Sequence, residues 1–443
     1  MVKLKESKMR YIVIVLVSIL TISAQAQTSI GLDEVITNTL QHNLNVKIAE
    51  NLVTLADNSA TIGNAGGLPT VTAGGGVNGS LTNTNLVFAG GAQPPIEVSG
   101  AQTVVMSANL TANYILFNGF SASNTFNRLE LQSELAKTQS QMQIEAILIQ
   151  SINSYFGVLQ MQSALNAAQR SLEVSIERYE RAKLRADFGS ANSIAMLNAR
   201  VDMKNDSITV INIEQQLVNS KSTLAYLMGV DSYDFELIEE FDVDGKLSRD
   251  ELIETALNQN LSLVEARKNL EISEKNIDIS NGTYYPTLSI SSGFSYSNNQ
   301  NEASFIVENV NSGLNGGISL SYNLFNGGRS SISRENAKIN WETSKLRIDD
   351  LILNLQTQLN NAFTTYTNNL NVVDLRESTL IVSQQNFSRS EELFKNGKIT
   401  GTEFREAQLN LLNAEIQLYV SKINAKLAEY ELLRLSGALI SKQ

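Results

Sequence analysis

The amino-acid sequence repeats itself once, and this internal repeat constrains the fold more strongly than any single motif does. Residues 32–44 match residues 249–261 at an offset of 217, and Leu116-Phe-Asn-Gly119 matches Leu324-Phe-Asn-Gly327 at an offset of 208. The two halves therefore differ by nine residues between these landmarks, which indicates a loop that tolerates insertions. Each half is predicted to contain a short helix, a strand hairpin and a long helical hairpin.

The N-terminus has the pattern of an export signal, because four basic residues precede an apolar run at 11–22 and Ala24-Gln-Ala26 fits a cleavage site. We interpret the acidic stretch Asp231–Asp244 as a solvated belt between the repeats rather than a catalytic cluster. The predicted segments are a signal peptide at 1–26, a first repeat at 27–229 (hairpin about 69–117, helical hairpin about 119–229), a linker at 230–248, and a second repeat at 249–443 (hairpin about 286–326, helical hairpin about 327–437).

Four segments alternate apolar and uncharged polar residues with a period of two, and none of them carries a charge. They flank two loops rich in Gly and Asn, Asn83–Ala101 and Asn298–Ser312, which are predicted to be the hairpin tips. A soluble sandwich usually has Lys or Glu on its solvent face, whereas Ser, Thr and Asn with terminal aromatics favour a lipid-facing barrel. Four strands cannot close a barrel, and hydrocarbon does not tolerate an open sheet edge. Oligomerisation is therefore expected.

The segments that follow the strands have the pattern of long coiled helices. Apolar residues recur every seven positions from Ile352 to Phe394, and the equivalent row of the first half runs from Ile144 to Ala186. A sustained seven-residue repeat indicates a left-handed coiled coil. After a glycine at Gly189 or Gly397 the helical pattern returns.

The composition excludes several classes of protein. The chain has no cysteine and a single histidine, His42, which excludes a thiolate nucleophile and a centre built from several histidines. A formal net charge of -11 argues against a nucleic-acid surface. No catalytic motif is present, so we expect no enzyme activity, no cofactor and no metal site. His42 is expected at an exposed polar position.

The order of these features resembles the TolC family of outer-membrane efflux proteins. A signal peptide, tandem halves, strand pairs beside very long helices and the junction Leu324-Phe-Asn-Gly-Gly-Arg329 carry the resemblance, which covers the whole mature chain. It implies a mostly helical protein with β-strands, a TolC-like tandem repeat whose coiled-coil hairpins form an α-barrel in the periplasm. It also implies four strands per chain in a trimeric twelve-stranded β-barrel in the outer membrane of a Gram-negative-type bacterium.

The resemblance also implies partners and sites. The partners are two further copies of the chain, outer-membrane lipid, a periplasmic adaptor protein and an inner-membrane transporter, with no nucleic acid. Phe394-Lys-Asn-Gly397 and Glu403-Phe-Arg-Glu406 match the family's tip pattern, which assigns Glu403 and Glu406 to a constriction at the periplasmic aperture. A solvated acidic face is the alternative for these two residues. The residues predicted to dock the adaptor at the helix-hairpin tips are Gly189, Ser190, Ala191, Asn192, Gly397, Lys398, Ile399 and Thr400.

The sequence departs from the family at the pair that locks this mouth in some members, because Ile399 and Ala195 stand where a basic and an acidic residue are expected. Lys398 is one position away from the basic site. The closed state is therefore predicted to depend on helix packing and other contacts. Two other functions stay open at this point, an exported structural coiled-coil surface protein and a stand-alone porin. The cargo and the class of transporter also stay open, because the predicted lumen residues are generic Ser, Thr and Asn.

Overall fold

The computed structural model of the chain describes residues 29–87, 89–91, 94–188, 193–238, 241–243 and 247–439. The predicted signal peptide at 1–26 lies outside these residues. The chain divides into two units. The first unit takes Met1–Ile48, Gln143–Ala256 and Thr357–Gln443, and the second takes Ala49–Met142 and Leu257–Gln356. Both units therefore combine segments from both halves of the sequence.

The same order of elements occurs in both halves. The first half contains β1 (Ser29–Ile30), α1 (Leu32–His42), α2 (Leu44–Ser59), β2 (Thr70–Leu86), β3 (Ile96–Asn118), α3 (Ser121–Asp187) and α4 (Ser193–Met228). The second half contains β4 (Glu236–Leu237), α5 (Arg249–Gln259), α6 (Leu261–Asn281), β5 (Thr287–Asn301), β6 (Glu308–Ser321), α7 (Arg329–Lys395) and α8 (Gly401–Ser436). Short 3₁₀ turns lie at Ala89–Gly91 and Gly282–Tyr284.

The second unit contains a four-stranded antiparallel sheet in the order β2-β3-β5-β6. The strands extend into both regions that were predicted to be loops. Asn85 pairs with Glu97 beyond an irregularity near Thr82, and Gln300 pairs with Glu308. The predicted tips Asn83–Ala101 and Asn298–Ser312 were therefore too long, because their polar residues continue the backbone ladder and do not end it.

The register of the sheet separates its two faces. Leu110 lies between Ala73 and Phe294, and Phe294 lies opposite Leu314, which makes an apolar row across all four strands. The next row contains Thr111, Gly293 and Asn315 with their neighbours, and it is polar. Because side chains alternate between faces, the sheet is apolar on one face around Leu110 and uncharged and polar on the other. Toward the strand ends the first face also carries Gln300 and Glu308.

The core of the first unit surrounds Phe156, which is fully buried. Its ring meets Tyr155 and Phe241 edge to face, at centroid distances of 5.4 and 5.1 Å. Phe235 and Leu237 of the predicted acidic linker are also buried in this core, and β4 pairs with β1. The interpretation of the linker as a solvated belt was therefore wrong for Phe235 and Leu237, which pack inward, whereas Tyr233 and Ile238 are exposed.

The predicted seven-residue rows face the interior. None of the seven row positions on α7 is exposed, and Leu359 and Tyr366 are almost fully buried. None of the row positions on α3 is exposed, with Ser151 and Val158 fully buried. His42 is exposed at the end of α1, as predicted. No helix in the described ranges is long and apolar enough to span a membrane.

Candidate functional site

The predicted aperture and docking residues of the second half lie around one turn of the first unit, between α7 and α8. α7 ends at Lys395, and Gly397 follows with a φ of 69°. The Lys398 N–H donates to the Leu393 carbonyl (2.8 Å) and the Gly397 N–H to the Phe394 carbonyl (3.0 Å). These bonds close the last turn of the helix. A left-handed φ favours glycine, so Gly397 has a conformational role here.

Thr400 and Glu403 cap the start of α8 reciprocally. Thr400 Oγ1 accepts from the Glu403 backbone N–H (3.3 Å), and the Glu403 carboxylate accepts from the Thr400 N–H (2.7 Å) and hydroxyl (2.8 Å). These bonds, the backbone one first, hold the pKa of Glu403 below its usual value. Glu403 is therefore a helix cap as well as a predicted aperture residue. The T-x-x-E spacing was the sequence signal for this cap.

The two aperture candidates are exposed on α8, beside a buried aromatic stack. Glu403 and Glu406 are exposed, whereas Phe404 between them is buried. The Phe404 ring stacks on Phe394 at 4.9 Å with an interplanar angle of 6°, and on Phe387 at 5.6 Å. This stack attaches α8 to α7, so it sets which face of α8 carries the two carboxylates.

The docking residues divide between described and undescribed positions. Gly189, Ser190, Ala191 and Asn192 lie outside the described residues. Of the second tip, Gly397, Lys398 and Thr400 are exposed and Ile399 is half-buried. Lys398 forms no ion pair with any residue that the structure describes.

A buried polar layer connects α8 to α3 and α4. The Arg405 guanidinium donates to both carboxylate oxygens of Asp206, at 2.5 and 2.7 Å. The side chains of Arg405 and Asp206 are only 15% and 11% exposed. The Ser175 hydroxyl donates to the same carboxylate at 2.5 Å. Gln408 Nε2 donates to the Ser171 carbonyl at 2.6 Å and lies 3.2 Å from the Ser175 hydroxyl. A bidentate charged pair in such surroundings is a strong and directional contact.

A second ion pair extends this layer toward the turn. Arg178 on α3 pairs with Asp202 on α4 and donates to the Gly401 carbonyl at 3.3 Å. Burial lowers the pKa of Arg178, and the adjacent Asp202 opposes that shift. Asp202 and Asp206 are one helical turn apart, so they project from one face of α4.

Sequence reasoning missed this layer. The only available signal was the pair of aspartates at a spacing of four, Asp202 and Asp206, which indicates a shared face but no partner. Ile399 and Ala195, which replace the expected locking pair, both line a cavity beside the layer. Among the described residues of this region, Arg178 and Arg405 form ion pairs.

Glu145 is a buried carboxylate elsewhere in the first unit. Its side chain lies on α3 and is 8% exposed. Burial raises the pKa of Glu145 to about 7, with Arg434 opposing the shift and Glu431 adding to it. The folded protein therefore holds this proton at a pH where an exposed glutamate has lost it.

This burial predicts a stability that falls as the pH rises. The folded-state pKa exceeds the ordinary value of 4.5, so the native state binds the extra proton between about pH 4.5 and 7, and stability declines across that window. We expect Glu145→Gln to be more stable than the wild type at pH 8 by about 3 kcal/mol, and the difference to fall below about 1 kcal/mol at pH 5. Thermal unfolding of both proteins from pH 5 to 8 measures this.

Glu173→Gln provides the matched control, because Glu173 is exposed on the same helix. Its melting temperature is expected to follow the wild type at every pH. A Glu145→Gln profile parallel to the wild-type profile would contradict the assignment of the pH dependence to Glu145.

No group of three or more histidine or acidic side chains among the described residues is arranged to hold a metal ion. Around the turn between α7 and α8, the described side chains form ion pairs and helix caps and present exposed carboxylates. These groups can position helices and attract or repel charged solutes.

Comparisons with known proteins agree with this architecture. The profile of the family described as "Outer membrane efflux protein" matches residues 35–230 and 252–438. The chain is 22% identical over 368 residues to outer membrane protein TolC of Salmonella enteritidis, covering 77% of this chain and 74% of that protein. It is 21% identical over 320 residues to the cation efflux system protein CusC of Escherichia coli (strain K12), covering 70% and 68%. The crystal structure of the Campylobacter jejuni CmeC outer membrane channel superposes with a TM-score of 0.73 at 15% identity, covering 92% and 86% of the two chains.

Proposed function

This chain belongs to the outer membrane efflux protein family, and from that premise we propose that it is a homotrimeric, passive exit duct coupled to a periplasmic adaptor and an inner-membrane transporter. As a family member it is an efflux channel of the outer membrane. The trimer, the passive mechanism without catalysis and the two coupled partners are the further steps of the proposal.

The observation that carries the proposal is the open four-stranded sheet. Its outer strands, β2 and β6, each pair with one strand on one side only within the described residues. An unpaired edge leaves backbone N–H and C=O groups without partners, which hydrocarbon does not tolerate. Pairing β6 of one copy with β2 of the next satisfies both edges. Three copies then supply the twelve strands of a closed barrel.

The side chains of the sheet support a membrane position. Leu81 on β2 is 77% exposed, and Leu314 and Ile318 on β6 are 84% and 70% exposed. Large apolar side chains with this exposure on one face need a covering of lipid or protein. The opposite, uncharged polar face would then line the pore.

A second apolar row on α7 supports association between copies. Ile332, Ile339 and Leu346 repeat every seven residues and are at least half exposed. A heptad row that faces out of a single chain is typical of a coiled-coil contact with another helix. The sequence signal for this row was the same seven-residue spacing that identified the buried row.

The aperture and docking roles remain part of the proposal. Three copies would place six carboxylates, from Glu403 and Glu406, around one axis, where repulsion favours bound cations. The turn from Gly397 to Thr400 would contact the adaptor together with the equivalent tip at 189–192. The exposure of both carboxylates and of most of the turn supports these roles.

Single-channel conductance of the purified protein in a planar bilayer tests the proposal. We expect a small conductance that divalent cations block, because anionic rings at a narrow mouth concentrate cations. In Glu403→Ala/Glu406→Ala, the half-blocking concentration is expected to rise about tenfold, the equivalent of about 1.4 kcal/mol. Light scattering of the detergent-solubilised protein should give the mass of three chains.

Thr400→Ala is the control, because it removes the cap hydroxyl that Glu403 contacts and keeps both carboxylates. It should retain the cation block. If Thr400→Ala and the double variant lose the block equally, the cap and not the ring explains the effect. A large conductance insensitive to adaptor and cations would indicate a stand-alone porin. A soluble elongated oligomer that does not insert would indicate a structural coiled-coil protein.

A further inference from the structure

A cavity of about 690 Å³ lies in the first unit beside the polar layer, and we call it the tip cavity. Residues from α3, α4, the end of α7 and the start of α8 line it. Its volume is in the range of sites that hold small organic molecules.

The charges of the tip cavity are unusual for this chain. Arg178, Arg181, Arg185 and Arg405 line it, and Asp202 is the acidic side chain among the described lining residues. The chain as a whole has a formal net charge of -11. Asp202 pairs with Arg178 and Asp206 holds Arg405 in a bidentate pair, so four guanidinium groups stand against two carboxylates. The excess positive charge favours an anion, and guanidinium groups bind carboxylates with matched geometry.

Arg178 has one side-chain N–H without a described partner. Its side chain is 4% exposed, and its two described partners, Asp202 and the Gly401 carbonyl, belong to residues that also line the cavity. Its Nε is buried and has no hydrogen-bond partner among the described residues. A buried guanidinium N–H without an acceptor is costly.

The start of α8 adds donors on the same side. Gly401 and Thr402 occupy its first turn and line the cavity. First-turn N–H groups have no acceptor within their own helix, and they favour an anion at the helix N-terminus.

The remaining walls are apolar. Apart from the polar Asn198 and Thr400, they consist of Ala182, Ile194, Ala195, Ala199, Val201, Phe394 and Ile399. A free inorganic ion would make no use of this surface, whereas a ligand with a hydrocarbon or aromatic body would cover it.

We propose that the tip cavity binds a small organic anion, a carboxylate carried on an apolar or aromatic body. The carboxylate lies toward the arginines and the first turn of α8, and the apolar body contacts Phe394 and Ile399. The site goes beyond the exit-duct function, and it stands whether or not the adjacent turn docks an adaptor.

Ligand-observed saturation-transfer NMR on the full-length protein in detergent tests this site, with benzoate, benzyl alcohol and acetate as probes. Benzoate combines both required features, benzyl alcohol lacks the charge and acetate lacks the apolar body. We expect benzoate to bind at least about tenfold more tightly than either of the others, a difference of about 1.4 kcal/mol. Raising the salt from 0.05 to 0.5 M should weaken benzoate binding, because salt screens the exposed arginines.

Arg181→Gln and Thr402→Glu should each weaken benzoate binding about tenfold, the first by removing a charge and the second by placing a carboxylate at the cavity. Lys183→Gln is the matched control, because Lys183 is exposed on the same helix and does not line the cavity. The proposal is overturned if benzoate and benzyl alcohol bind equally, if both cavity variants bind like the wild type, or if Lys183→Gln weakens binding as much as Arg181→Gln.

Discussion

Replacing Asp206 with alanine is expected to destabilise the first unit by about 3 to 4 kcal/mol. The substitution leaves the Arg405 guanidinium, whose side chain is 15% exposed, without its bidentate partner. It also removes the acceptor of the Ser175 hydroxyl. An uncompensated buried charge is costly because the protein interior solvates it poorly. Hydrogen exchange along α8, measured by mass spectrometry, should report faster opening around residues 401–408.

Two further variants distinguish the pair from general disruption of α8. Glu415→Ala breaks the Arg170–Glu415 pair, which also connects α3 to α8 but whose arginine side chain is 60% exposed. An exposed pair contributes at most about 1 kcal/mol, so this variant should behave nearly as the wild type. Asp206→Leu/Arg405→Met replaces the buried pair with apolar groups, and we expect it to recover most of the lost stability. Equal effects of Asp206→Ala and Glu415→Ala would contradict the importance of the buried pair.

Replacing Gly119 with alanine is expected to destabilise the second unit by about 3 to 4 kcal/mol, from backbone strain plus overpacking. Gly119 joins β3 to α3 with a φ of 66°, a conformation that strains residues with a Cβ. A Cβ there would lie 2.5 Å from the Gly282 carbonyl oxygen and 2.8 Å from Tyr285 Cβ. Because the nearest atom belongs to the backbone, the junction itself must move. Thermal unfolding and the yield of membrane-inserted protein measure the effect.

Two other glycines separate the contributions. Gly327 is the equivalent position in the second repeat, with a φ of 70° but no atom within 4 Å of the added Cβ. Gly327→Ala should therefore cost only the backbone strain, about 1 to 2 kcal/mol. Gly157 lies inside α3 with open space around it, so Gly157→Ala should be neutral or stabilise by up to about 1 kcal/mol. A Gly119→Ala effect no larger than that of Gly327→Ala would show that the contact with Gly282 is unimportant.

The sequence predicts that Gly119 and Gly327 are equivalent positions, but it does not predict their different surroundings. The shared Leu-Phe-Asn-Gly identified both as junctions between a strand and a long helix, since a glycine after alternating residues and before a heptad pattern is a local signal. Nothing in that motif distinguishes a crowded glycine from an open one. The difference arises from Gly282 and Tyr285, which lie more than 160 residues away in the chain.

The predicted aperture residues likewise combine a local feature, which the sequence predicts, with a tertiary feature, which it does not. The spacing of three residues predicted that Glu403 and Glu406 lie on one face of α8, because helical periodicity depends on local sequence alone. Their exposure depends on the stack of Phe404 against Phe394 and Phe387, which requires the two helices to pack together. Glu403 also caps the start of α8 together with Thr400. The T-x-x-E spacing predicts this cap, because a capping box depends on local sequence.

The sequence by itself determined the tandem organisation, the order of strands and helices, the inward rows of the coiled segments and the resemblance to outer-membrane efflux proteins. These properties follow from periodicity and from turn residues, which act over a few positions. Only the tertiary structure decided the partners of Asp202 and Asp206, the burial of Phe235 and Leu237 of the linker, and the tip cavity with its four arginines. Each of these depends on which helix faces lie opposite one another, and that choice is made by packing over the whole chain, which no local pattern encodes.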